Sequence, residues 1–327
     1  MADPGLEPQN SDHQDRKELG LVVGVTTTVQ TLATMCTLFP AAIAPELARA
    51  YGIPASWIGF QVSVMYSGAM VMSLIGGQAV RRLGAVRTSQ CALGFSGCGL
   101  ALAAAPSLIA FAVGSVLIGF GYGLTNPPAA HLLMRVTKPQ NRNFIFSLKQ
   151  TGVPLGAVIA GLASPPLALV FGWQWAFWTG AAGTLACLIV IQPLRRGWDW
   201  DRDPGVPIKQ NPATDLRMVL GHSALRWIGM AAFCFSAVQI SLSAFAVTML
   251  VEDLRFGLVE AGVVLSVLQV GGALGRIFWG GIADWLGDGI RVLLAVALIS
   301  AAAGIMTMTL DPATGTAVIY AVLILFG

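Results

Sequence analysis

From Gly20 onward the sequence is a succession of apolar runs, at 20–44, 57–80, 87–105, 107–134, 143–169, 172–194, 224–251, 258–283 and 288–310, with a last one opening near 314. About 20 consecutive apolar residues are what a helix needs to cross the hydrocarbon core of a bilayer. Only 11% of the 327 residues are charged, against roughly 25% in ordinary soluble domains. That is too little charge to cover a water-exposed surface, so a soluble globule is excluded. The sequence predicts an all-α polytopic membrane protein of about nine full spans and part of a tenth. The net charge of +3 is too small to imply nucleic acid. Cys36, Cys91, Cys98, Cys187 and Cys234 all fall in apolar runs without metal-ligand spacing and read as membrane-buried thiols.

Lys and Arg give the orientation, because short loops rich in them stay on the cytoplasmic side. Fifteen of the nineteen lie in the N-terminal segment or in alternate connections: Arg81, Arg82 and Arg87; Arg135, Lys138 and Arg142; the long segment after the sixth run; and Arg291. Arg49 and Arg255 alone fall on the other side, and Lys149 and Arg276 fall inside runs. The polar segment 1–19 carries no apolar core or cleavage site. It reads as a cytoplasmic tail ahead of a retained first span.

The chain also repeats itself. Gly59, Ser63, Val64, Gly68, Gly77, Leu83 and Gly84 recur, without a gap, as Gly262, Ser266, Val267, Gly271, Gly280, Leu286 and Gly287. Both copies occupy the end of an even-numbered run and the turn after it. Between them, 195–223 is the only long connection, and Pro204, Pro207 and Pro212 mark it as a linker. The organisation expected is a bundle of six helices over 20–194, the linker over 195–223, and a second, parallel-duplicated bundle over 224–327. The last run has 14 residues before Gly327, which predicts a twelve-span design that stops inside a helix.

At these positions the sequence resembles the major facilitator superfamily of transporters. Its signature after the second span is a glycine, three residues, Asp, a basic residue, one residue, glycine and further basic residues. Gly77, Arg82, Gly84 and Arg87 fit it with Arg81 in the acidic position, and the second copy keeps Gly280, Asp284 and Gly287 with Trp285 in the basic position. The resemblance implies a gating role for these residues: glycines for close helix approach, and Asp284 as an acid latch against the start of the fifth span. The competing reading is that Asp284 and the arginines are solvated loop charges. Gly119, Gly121 and Gly123 match the family's glycine-rich fourth span, with Ser115 where an Arg is usual. Ser147 to Gly156 resembles a stretch of bacterial small-solute permeases related to cyanate and nitrate carriers. The implied fold is two pseudo-symmetric six-helix bundles, the second incomplete.

Ionisable groups inside a bilayer normally face a cavity or a partner. Lys149 and Arg276 lie about 9 Å inside the predicted fifth span and about 12 Å from Asp284 along the axis, at 1.5 Å per residue. No Asp or Glu is central in any run, so an anion between the two cations is one reading. Snorkelling to the headgroups, or an Arg276–Asp284 pair, is the other. Gln30 and Thr34 share a stripe of the first run and are expected to line the path. Asn126-Pro127-Pro128 should break the fourth run, freeing Asn126 to meet carbonyls or solute. Gln150, Gln239 and Gln269 are further polar candidates, each open to a helix-to-helix hydrogen bond instead. His131 shares a face with Arg135. Enzyme motifs such as His-Glu-x-x-His, Gly-x-Ser-x-Gly and a phosphate loop are absent. No cofactor or metal is called for.

The function expected is secondary or facilitated transport of a small organic or inorganic anion by alternating access, in the cell membrane, by a monomer. Its partners are lipid, solute and a coupling ion, proton or sodium. The alternative is a non-transporting membrane sensor or an inactive shortened transporter.

Overall fold

The computed structural model describes residues 7–54, 57–138, 142–206, 217, 220–286, 289–311 and 314–326. Among them the regular secondary structure is all helical. Helices α1 (Glu7–Ala42), α2 (Ala44–Tyr51), α3 (Ile58–Leu83), α4 (Ala85–Ala103), α5 (Leu108–Gly123), α6 (Asn126–Val136), α7 (Arg142–Gln150), α8 (Gly152–Phe171), α9 (Trp173–Val190) and α10 (Arg195–Trp198) precede the long connection. After it come α11 (Ser223–Thr248), a π-helical turn Met249–Asp253, α12 (Leu258–Leu286), α13 (Gly289–Thr307) and α14 (Thr316–Phe326).

Eight stretches among the described residues are long and apolar enough to cross a membrane. The apolar run 87–105 is not one of them. The first turns of its helix, α4, carry Arg87, Thr88, Ser89 and Gln90, and these groups find partners inside the protein. Gln90 donates to the Leu188 carbonyl at 2.9 Å and to Gln192 at 2.7 Å, so α4 is pinned to α9. Helix α1 runs back to Glu7, into the segment expected as a tail.

Two runs divide at the positions their chemistry dictates. The fourth breaks between α5 and α6, because Pro127 and Pro128 have no N–H for the helical ladder. The Leu124 and Thr125 amides close short turns on Gly121 and Tyr122 at 3.1 and 3.2 Å. The fifth breaks at Thr151, between α7 and α8, where the Thr151 hydroxyl donates to the Leu148 carbonyl at 2.6 Å.

Helices α8 and α12 pack against each other along much of their length. A side chain at Gly161 would meet the Gly262 carbonyl at 2.6 Å, so the two backbones touch as small residues allow in membrane bundles. Buried apolar side chains gather in two main clusters. One joins Ile43 and Leu47, at the end of α1 and on α2, to Val247, Leu250 and Leu254 around the end of α11. The other joins Val22 and Val29 of α1 to Leu93, Leu133, Ile145 and Trp198.

Candidate functional site

Lys149 sits at the last turn of α7 and is 3% exposed. What brings it inward is the fit of the α7–α8 break onto α1. A side chain at Gly152 would meet the Thr27 carbonyl at 2.7 Å, so only glycine lets α8 begin this close. That contact sets Lys149 opposite Gln30. Its Nζ donates to Gln30 Oε1 at 2.8 Å, to Asn126 Oδ1 at 2.6 Å and to Gln150 Oε1 at 3.1 Å. Three donors meet three neutral amide oxygens, and no carboxylate among the described residues pairs with it. Gln30 in turn donates to Thr34 at 3.3 Å.

Asn126 stands first in α6 because of the break ahead of the two prolines. It projects into a cavity of about 570 Å³ that is also lined by Thr34, Thr37, Tyr66, Tyr122, Ser236, Gln239 and Gln269. Apolar walls come from Val62, Met65, Met70, Val153, Phe233 and Ile240. The cavity therefore lies between α1, α3 and α5–α6 on one side and α11 and α12 on the other, and it follows α11 from Ile240 to Gly229. Lys149 lies behind this wall and reaches it through Asn126.

Arg276 joins the cluster through the backbone: its Nη1 donates to the Gln150 carbonyl at 3.1 Å. Gln150 thus touches both cations, one with its side chain and one with its main chain. Gln239 and Gln269 stand on the α11 and α12 walls, and they also border a second cavity of about 470 Å³ with Arg276. Of the residues singled out in the sequence, Gln30, Thr34, Asn126, Lys149, Gln150 and Arg276 form one bonded set.

The gating residues are arranged differently from the sequence expectation. Gly77 faces open space and Gly280 makes an ordinary contact of 3.6 Å with the Ser147 hydroxyl, so neither is needed for close helix approach. Gly287 and the Asp284 side chain lie outside the described residues. Gly84 has φ +95°, a region that disfavours side chains, and the Asp199 carboxylate packs against it. Asp199, from the segment read as a linker, accepts from the Val86 amide at 2.7 Å and the Arg87 amide at 3.1 Å. It thereby caps α4, with Arg195 Nε at 3.7 Å. Burial pushes its carboxyl above the usual range, against the two amides and the Arg195 and Arg202 charges.

Asp201 follows suit, with His131 Nε2 at 2.7 Å and Arg135 at 3.6 Å. The Asp203 amide donates to the Arg81 carbonyl at 2.8 Å. Arg87 turns to Gln90 at 3.1 Å, and Arg82 is exposed. The start of the linker is therefore docked onto the first helices. The alternation of Asp199, Asp201 and Asp203 next to Trp198 and Trp200 was the available signal. Sequence reasoning also passed over Tyr66 and Tyr122, whose rings meet edge to face at 5.8 Å in the cavity wall.

The sequence pattern of the Major Facilitator Superfamily matches residues 21–327. The chain is 29% identical over 150 residues to the 4-hydroxybenzoate transporter of Acinetobacter baylyi, covering 46% of this chain and 33% of that protein. It is 26% identical over 249 residues to the 3-(3-hydroxy-phenyl)propionate transporter of Escherichia coli, covering 73% of this chain and 59% of that one. Its fold is similar to the crystal structure of a bacterial homologue of the human lysosomal transporter Spinster, captured inward-facing and unoccupied. The TM-score is 0.68 at 16% identity, over 94% of this chain and 72% of that structure. The chain thus spans between a third and three fifths of the length of these two curated relatives.

Proposed function

Since the chain belongs to the Major Facilitator Superfamily, a family of membrane transporters and not enzymes, we propose that it carries a small organic carboxylate across the cell membrane by alternating access, with Lys149 as the anion ligand. The observation that carries this reading is a buried ammonium held only by amide oxygens, at 2.6–3.1 Å. Removing such a charge from water is costly, and carboxamides do not neutralise it. A carboxylate entering the cavity displaces Asn126 from the Nζ and replaces a hydrogen bond to a neutral amide with one between opposite charges. The bonded path through Gln150 brings the Arg276 charge to the same place. The printed names of the two relatives, both carriers of carboxylic acids, agree with it.

In this reading the α1–α10 and α11–α14 halves rock about the cavity. In the same reading the N-terminus lies on the cytoplasmic side, which the Lys and Arg distribution supports. The test is uptake of labelled carboxylates into vesicles carrying the full chain. Hydrogen bonds to charged groups contribute about 1.5–3 kcal/mol, so Lys149→Gln should weaken the anion at least about tenfold while the protein remains in the membrane. Undiminished uptake by Lys149→Gln overturns the reading.

A further inference from the structure

Resting on that reading, we infer that the Tyr66–Tyr122 pair is the specificity element of the cavity, and that it selects carboxylates borne on a hydroxylated aromatic ring. Tyr122 and Asn126 line the same cavity four residues apart across the α5–α6 break, about 6–8 Å at 1.5–2.0 Å per residue. That is the length of a benzene ring carrying two substituents at opposite ends. A carboxylate at Asn126 and Lys149 therefore sets the far end of a six-membered ring beside Tyr122.

The space between the two ends suits a ring. Met65, Met70, Val153 and Phe233 supply apolar walls. Pockets of this kind orient a ligand by a few placed polar groups among apolar ones. At the far end, Tyr66 and Tyr122 hold each other edge to face at 5.8 Å, the geometry aromatic pairs prefer. This fixes where the two rings stand. The two hydroxyls are hydrogen-bonded to each other, which leaves one O–H and free lone pairs of the pair to meet a ring hydroxyl of the solute. An unsubstituted ring leaves that remaining O–H unmatched, which is how a polar site rejects an analogue lacking the group.

The experiment is equilibrium binding of labelled 4-hydroxybenzoate to the purified full chain, with unlabelled benzoate and the 2- and 4-hydroxy isomers as competitors. In the wild type, 4-hydroxybenzoate should compete about fivefold or more better than benzoate, the worth of one hydrogen bond. The 2-hydroxy isomer, whose hydroxyl lies beside the carboxylate, should gain nothing. In Tyr66→Phe and Tyr122→Phe the preference should fall to within about twofold, whereas Lys149→Gln should weaken benzoate and 4-hydroxybenzoate together and leave their ratio. Equal competition by benzoate and 4-hydroxybenzoate in the wild type overturns the proposal without touching the role of Lys149, and so does a preference that survives both Phe variants. The isomer series needs no variant, so a Phe variant that fails to fold does not protect the proposal. If the wild type binds no ring acid but takes up another small anion in a Lys149-dependent way, the tyrosine proposal alone falls. If it binds no carboxylate at all, both fall.

Discussion

Asp199 is 4% exposed and accepts two backbone amides at the start of α4. In Asp199→Ala both amides lose their partner in a place water reaches poorly. Loss of a helix cap costs about 1 kcal/mol, and each buried donor left unsatisfied costs about 1–3 kcal/mol. The two figures overlap, since capping is the satisfaction of these donors, so the loss should be about 2–4 kcal/mol. Asp199→Asn keeps one acceptor and removes a charge that burial penalises more than its partners compensate, as the raised carboxyl shows. It should therefore stay within about 1 kcal/mol of wild type. At about 2 °C per kcal/mol for a chain of this size, melting of the purified protein should fall by about 4–8 °C for Ala and by no more than about 2 °C for Asn.

The pH dependence follows from the direction of the shift. The folded carboxyl holds its proton more tightly than the unfolded one, whose value is about 3.9. Its contribution is full below that value and is lost as pH rises towards the folded value. The wild-type advantage over Asp199→Asn should thus be largest in acid and shrink as pH rises. An advantage that grows with pH would refute the balance between burial and capping, and an Ala variant as stable as wild type would refute the cap itself.

Further outcomes follow from the Lys149 cluster and its neighbours. Gln30→Leu removes an acceptor from a buried ammonium and should cost about 1–3 kcal/mol, most of it recovered in the Gln30→Leu/Lys149→Met double variant; melting of the two proteins compares them. Gly152→Val, which would crowd Thr27 and Gln30, should cost about 1–3 kcal/mol by overpacking, and it should weaken carboxylate binding by drawing Lys149 off Gln30. His131→Ala removes a half-exposed contact with Asp201 and should shift stability by less than about 1 kcal/mol, because exposed ion pairs contribute little.

Much of this protein could be read along the chain, because the physics involved is local. Apolar length fixes where helices cross, prolines fix where the fourth run breaks, and a lysine in an apolar run announces a partner before the partner is known. Those arguments single out Lys149, Asn126 and Gln30 separately. They leave two things open. Gly77 and Gly280 were assigned to close packing from a motif, yet the tight backbone approaches fall at other glycines, among them Gly119, Gly152, Gly161 and Gly262. The opening of the 195–223 segment was read as part of a linker, and Asp199 with α4, Asp201 with α6 and the Asp203 amide with Arg81 of α3 hold that opening in place.

By itself the sequence determined a polytopic helical membrane protein, the break in its fourth run and the short list of polar residues worth attention. Only the tertiary structure decided which of these meet. The Lys149 bond to Gln30 joins residues 119 apart, that of Val86 to Asp199 residues 113 apart, and Tyr66, Tyr122 and Asn126 line a single cavity. No periodicity within one helix encodes such meetings, since they depend on how far apart and at what rotation neighbouring helices pack.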